Sequence, residues 1–170
     1  MNHFAMVHKY ISEFEGVTLR PLAHDDIELL RTWRNDPVNS RYLRQIPFIT
    51  SEMQEEWYKE YLIDEDTITF SIVENVVLGR MVGSISLYHF SKDGKAELGK
   101  VLIGDAEAHG KKIGFRAVSA AVNTAIEHLH KNEIYLYVYE NNIPAIKIYT
   151  QAGFKEFTRS GNELLMKYQG

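Results

Sequence analysis

The chain has 170 residues, 45% hydrophobic and 25% charged, the balance of a globular domain large enough for its own core. A net charge of −4 argues against nucleic acid as the main partner, since a phosphate-binding face needs surplus cations. The absence of cysteine removes disulfides, zinc–thiolate sites and thiol catalysis and agrees with a cytoplasmic protein. No apolar run approaches membrane-spanning length and the N-terminus lacks a signal-peptide core, so no membrane partner is expected.

Residues 1–16 set Tyr10, Ile11 and Phe14 at roughly helical spacing, which reads as a helical N-terminal extension ahead of a domain over 17–170. Val17-Thr18-Leu19-Arg20-Pro21 is a first strand, stopped by Pro21. His24-Asp25-Asp26 supplies cap-type residues for a helix through Ile27, Leu30 and Trp33, ending near Asn35-Asp36-Pro37. A second helix starts at Thr50-Ser51 and runs through Trp57, Tyr58 and Tyr61. Residues 68–74 and 81–89 alternate as strands around a turn at Leu78-Gly79, and Lys92-Asp93-Gly94-Lys95 is a hairpin turn into a central strand from Ala96.

Up to Ile103 the central strand is apolar; small and polar residues then turn the chain into a helix near Lys112. A strand that opens through glycines onto a helix N-terminus leaves amides without intrahelical partners at the positive end of the dipole, a seat for phosphate. An ordinary strand–helix connection reads the same way. The chain has neither a P-loop nor a dinucleotide-binding glycine fingerprint. The following helix carries a wide apolar face (Ile113, Ala117, Val118, Ala121, Val122, Ala125), and residues 134–139 are apolar on both faces, as a covered strand requires. A helix from Ile143 to Gln151 has Pro144 in its first turn and Gly153 as its stop; residues 154–159 and 164–168 close as a hairpin. The sum is an α/β (α+β) domain with a mixed sheet of about seven strands and about four helices, its parallel pair at the crossover between Ile103 and Ile134.

Two motifs carry a resemblance over Val17 to Tyr168. His109-Gly110-Lys111-Lys112-Ile113-Gly114 resembles the pattern Arg/Gln-x-x-Gly-x-Gly/Ala, with His109 in place of Arg/Gln and Lys112 in place of the middle glycine. Asn142 to Phe154 resembles Asn-x-x-Ala-x-x-x-Tyr-x-x-x-Gly-Phe. Both belong to the GCN5-related N-acetyltransferase (GNAT) superfamily, in its ribosomal-protein-alanine and nucleotide-amino-sugar branch. The resemblance implies splayed central strands, acetyl-CoA as cosubstrate with no metal, and direct attack of an amine on the thioester. It places the pyrophosphate on His109, Gly110, Lys111, Lys112, Ile113 and Gly114. Lys112 departs from the pattern, and it is read as lying inside the first helical turn, where its charge helps neutralise phosphate. The resemblance places the pantetheine arm and acetyl carbonyl on the backbone of Val101, Leu102 and Ile103, with Asn142 bonding the arm.

The resemblance also implies that Tyr149 protonates the departing thiolate, although a core aromatic fits that position too. An alkyl ammonium must lose a proton before attack, and Glu97 at the start of the central strand is the first candidate base, with His89 and Glu74 behind it. Trp33, Arg34, Asn35 and His89 are the candidate acceptor residues, joined by Arg41, Arg44, Trp57 and Tyr61 for a diphosphate and its base or sugar. His128 and His130 lie on different sides of a helix end and form no metal pair. The acceptor implied is a small-molecule amine, an amino-sugar nucleotide leading; protein N-termini, polyamines or antibiotics, and a non-catalytic acyl-CoA-binding module, are the alternatives. The oligomeric state stays open, a homodimer included.

Overall fold

A computed structural model describes residues 8–41 and 47–170. The strands are β1 (Ser12–Phe14), β2 (Val17–Pro21), β3 (Thr67–Glu74), β4 (Arg80–Tyr88), β5 (Lys95–Ile103), β6 (Glu133–Tyr139), β7 (Phe154–Ser160) and β8 (Glu163–Tyr168). The helices are α1 (Ile27–Asn35), the single turn α2 (Pro37–Ser40), α3 (Ser51–Ile63), α4 (Ile113–Glu127) and α5 (Ile143–Ala152). The strands form one sheet in the order β1-β2-β3-β4-β5-β6-β8-β7, with β5 and β6 its parallel neighbours and the other pairs antiparallel.

The eighth strand comes from the segment expected to be helical. Ser12, Glu13 and Phe14 pair with Leu19, Thr18 and Val17. Glu15 (φ 47°) and Gly16 (φ 83°) form the two-residue turn between them, both left-handed as a turn matching strand twist needs. An unpaired edge of β2 is a stronger template than the weak helical spacing of residues 10–14. Residues 1–7 lie outside the described residues.

The sheet separates two apolar layers. Beneath it, α4 buries Ile113, Ala117, Val118, Ala121 and Ala125 against Val17, Phe70, Ile85, Leu87 and Leu98. Above it, α1 and α3 bury Leu30, Trp33, Tyr58 and Tyr61 against Met81 and Leu102. Trp33 fits because β5 is followed by Gly104: a Cβ there would lie 2.2 Å from the indole. Helix starts are capped by side chains: Asp36 accepts from the Val38 amide, Thr50 from Met53 and Asn142 from Ala145.

Asp26 fixes the entry of α1. Its carboxylate accepts both Arg20 Nη atoms (2.6 and 2.9 Å), the Ala23 amide (2.8 Å) and the Ser71 hydroxyl (2.8 Å). Burial pushes this carboxyl up, but the Arg20 guanidinium and the other donors together outweigh it and hold it below its ordinary value.

Candidate active site

The site begins where two parallel strands stop pairing. β5 and β6 are in register at Lys95–Glu133, Ala96–Ile134 and Glu97–Tyr135, and no farther. β5 continues to Ile103 and β6 to Tyr139, so the two diverge and open a gap in the sheet. On its other side β5 carries a bulge: Ser84 faces Leu102, Ser86 faces Gly99, and the extra residue includes Lys100 at φ 52°. The bulge interrupts the ladder where the gap opens and turns the Val101 region toward it.

Three cavities share Val101. The largest, about 290 Å³, lies on the α4–α5 side against Val101, Leu102, Ile103, His109, Gly114, Asn142, Ile148 and Tyr149. A second, about 180 Å³, occupies the gap between Tyr88, Lys100, Val101, Tyr137, Asn142, Tyr149 and Glu163. The third, about 60 Å³, sits under α1 and α3 between Arg34, Trp57, Thr69, Ser84, Ser86, Lys100 and Val101. Because strand side chains alternate, the register places Ser84, Ser86, Tyr88, Glu97, Gly99 and Leu102 on the α1–α3 face. Tyr149 reaches the gap from the opposite side, on α5, so the two faces of the sheet meet at Val101.

The loop into α4 corrects one expectation. Lys112 is not inside the first helical turn; it is the N-cap, at φ 57° and ψ 27°. The chain enters from Gly110 at φ 78°, and Arg116 grips the carbonyls of Lys111 (Nη2, 2.8 Å) and Lys112 (Nε, 3.4 Å). Those contacts hold a left-handed conformation that costs a lysine about 1–2 kcal/mol. Lys112 therefore occupies the conformation a glycine at the middle motif position would take without cost. Ile113, Gly114 and Phe115 are the first residues of α4, where amides have no intrahelical acceptor. His109 does not point away as a spare cation: its Nε2 lies 2.9 Å from the Ile103 carbonyl, tying the loop to the end of β5. Gly114 lets α5 approach, since a Cβ there would come within 2.9 Å of Ile148.

Tyr149 is 8% exposed and lines both larger cavities, and burial pushes its phenol up to about 12. The phenol is therefore protonated at neutral pH. Asn142 is both a cap and a cavity residue: its side-chain oxygen is taken by the Ala145 amide (3.3 Å), leaving its amino group for the cavities it lines. Glu97, 8% exposed, accepts the Tyr88 hydroxyl (3.0 Å) and meets His89 Nδ1 (2.9 Å). His89 thus belongs to the Glu97 cluster, at φ 51° just past β4.

Glu74 does not serve this site. It closes the β3–β4 turn by accepting the amides of Val76, Val77 and Leu78, and these bonds, that of Leu78 foremost, hold its carboxyl below the ordinary value.

Of the acceptor candidates, Arg34 and Trp57 line the small cavity and Arg41 the largest. Arg34 Nε is buried with no hydrogen-bond partner among the described residues, and burial pulls the guanidinium below its ordinary value. Trp33 lies in the upper core against Gly104. Asn35 is engaged with Ile49 through both amide atoms (2.9 Å each), anchoring the chain after α2. Tyr61 bonds the Thr69 backbone through its hydroxyl, fastening α3 to β3. Arg44 lies outside the described residues. Among the described residues no three His, Cys, Asp or Glu side chains gather as a metal site.

Tyr88, Lys100 and Arg116 escaped the sequence reading. A two-residue turn at Asp93-Gly94 would set Phe90 opposite Glu97, and the observed register sets Tyr88 there instead. The bulge that brings Lys100 to the cavities carries no sequence signal either.

The fold has known relatives. Residues 17–155 match the model of the acetyltransferase (GNAT) domain. The chain is 30% identical over 159 residues to uncharacterized protein MJ1062 of Methanocaldococcus jannaschii, covering 91% of this chain but only 31% of that protein, so it spans about a third of that relative. Among solved structures, spermidine N-acetyltransferase from Vibrio cholerae in complex with CoA and spermine superposes with a TM-score of 0.76 at 21% identity, covering 89% of this chain and 93% of that one. Apo FdhC, a nucleotide-linked sugar GNAT, gives 0.81 at 15% identity, covering 95% and 90%. The chain belongs to the GNAT acetyltransferase family.

Proposed function

We propose that this protein is an acetyl-CoA-dependent N-acetyltransferase, acting in the cytoplasm on a primary amine of a small, anionic acceptor, an amino-sugar nucleotide. The observation that carries the reading is the gap beyond Glu97 and Tyr135, where Val101 and the buried phenol of Tyr149 line both the α4–α5 cavity and the gap itself. The residues present fit acetyl-CoA. The first-turn amides of Ile113, Gly114 and Phe115, the open backbone of Gly110 and the charges of Lys111 and Lys112 suit a pyrophosphate. Val101 to Ile103 offer strand backbone to an extended arm. The cosubstrate supplies an activated acyl carbon; the chain orients it and moves protons. A Val101-region N–H aimed at the acyl oxygen stabilises the charge that develops there, and Tyr149 delivers a proton to the leaving sulfur.

Charge guides the acceptor reading. Arg34 and Lys100 are the charged side chains of the small cavity, and they disfavour a polycation while suiting phosphate or carboxylate. Trp57 adds an aromatic face for a base or sugar. Of the Trp33-Arg34-Asn35 segment, Arg34 lines this cavity and supports the same choice. Incubating the protein with acetyl-CoA and a panel of amines, with thiol release as readout, tests it. Release with amino-sugar nucleotides and little with spermidine is expected. Release with spermidine alone would replace the acceptor, and tight acetyl-CoA binding without release from any amine would make the protein a binding module.

A further inference from the structure

We propose that Tyr88 is the group that takes the acceptor's proton, handing its own to Glu97, with His89 as the positioning residue that holds Glu97 for the exchange. The inference rests on the acetyltransferase reading and goes beyond it by naming the route. Glu97 is buried and is not among the residues lining the three cavities around Val101; Tyr88, whose hydroxyl donates to Glu97 Oε2 at 3.0 Å, is. The same cavity holds Tyr149, so the proton-accepting and proton-donating phenols face one space across Val101. Gly99 makes the link: a Cβ at that position would lie 2.2 Å from the Tyr88 hydroxyl, and any side chain there would push the phenol off the carboxylate.

Tyr88 cannot act by ionising first. Burial, and then the Glu97 charge, push its phenol well above the ordinary tyrosine value. It therefore accepts a proton only as it gives one up. The acceptor ammonium passes a proton to the phenol oxygen, the phenol proton moves to Glu97 Oε2, and a neutral amine, a neutral phenol and a carboxylic acid result. The amine nitrogen then forms its bond to the acyl carbon, and the carbon–sulfur bond breaks with its electron pair on sulfur. Sulfur takes the Tyr149 proton, and the proton still on nitrogen replaces it. Glu97 afterwards releases its proton to bulk water.

His89 Nδ1 lies 2.9 Å from Glu97 Oε1, and its side chain is 61% exposed. The contact holds Oε1 and leaves Oε2 turned to Tyr88. The groups facing this cluster from other elements are Tyr135 on β6, which senses the Glu97 charge, and Lys100 of the bulge, whose ammonium stands 5.0 Å over the Tyr88 ring.

The test uses the full chain, acetyl-CoA and the best amine of the panel. Tyr88→Phe should lower kcat about 100-fold, the usual scale of a lost acid–base step, with acetyl-CoA affinity by calorimetry unchanged. Glu97→Gln should cost the same, and the double variant no more than either alone, because both break one relay. His89→Ala should lower kcat several-fold with KM for acetyl-CoA unchanged, and His89→Gln, which restores a donor to Glu97, should recover it. Tyr88→Phe within twofold of wild type, or additive losses in the double variant, would overturn the relay while leaving the acetyltransferase reading intact. Wild-type protein that binds acetyl-CoA and acetylates no amine would overturn both.

Discussion

Lys112 shows what a single residue does to the anion loop. It sits at φ 57° where a glycine would be at ease, and Arg116 bonds to its carbonyl and its neighbour's. The lysine trades backbone energy for a cation beside the first-turn amides. Lys112→Gly should remove the strain and raise thermal stability by about 1 kcal/mol, while weakening acetyl-CoA several-fold through the lost charge. Melting curves and calorimetry on one variant read both. A fall in stability would mean that the side chain, not the backbone, dominates at this position. The motif was legible in the sequence but the conformation was not, because the pattern has a glycine where Lys112 stands and no motif records the Arg116 contacts that hold it. Tyr149 and Asn142 were placed on α5 by the local spacing of that helix.

At the scale of elements, α1 carries Arg34 to the small cavity, and Asp26 holds α1 to β2 and β3 through Arg20 and Ser71. Asp26→Asn keeps the shape and removes the charge that Arg20 needs. Arg20 is a third exposed, so the loss should be about 2 kcal/mol rather than the larger cost of a fully buried pair. The sign of the pH dependence follows from the depressed carboxyl. Its contribution is complete above the unfolded value of about 3.9 and disappears as pH falls through the folded one, so the two stability curves should converge in acid. Curves that stay parallel down to acid would show that hydrogen-bond geometry, not charge, secures α1. These elements were readable from periodicity and caps, apart from β1. Its apolar residues fit either period, and only the free edge of β2 decides between them.

For the whole molecule, the decisive feature is that one sheet comes apart between two layers. The side proposed for the cosubstrate is built by α4 and α5, the side proposed for the acceptor by α1 and α3, and they meet where β5 leaves β6. That separation was expected from the resemblance; the bulge at Lys100 and the cluster behind Tyr88 were not, since both depend on strand register rather than on residue type. The two ends of the fold are also joined mechanically. Arg116, on α4, donates to the Glu15 carbonyl in the β1–β2 turn (2.7 Å) as well as to the anion loop. The sheet edge is thereby fastened to the amides proposed to seat the pyrophosphate. Arg116→Gln should release both attachments and weaken acetyl-CoA about tenfold, equivalent to about 1.4 kcal/mol and of the size of one net hydrogen bond. Turnover at saturating cosubstrate should stay near wild type, because the Val101 region and Tyr149 are untouched. The β1–β2 turn should meanwhile lose protection in hydrogen exchange. Loss of turnover at saturation would place Arg116 in the chemistry; unchanged affinity with a loosened turn would separate the sheet edge from the ligand.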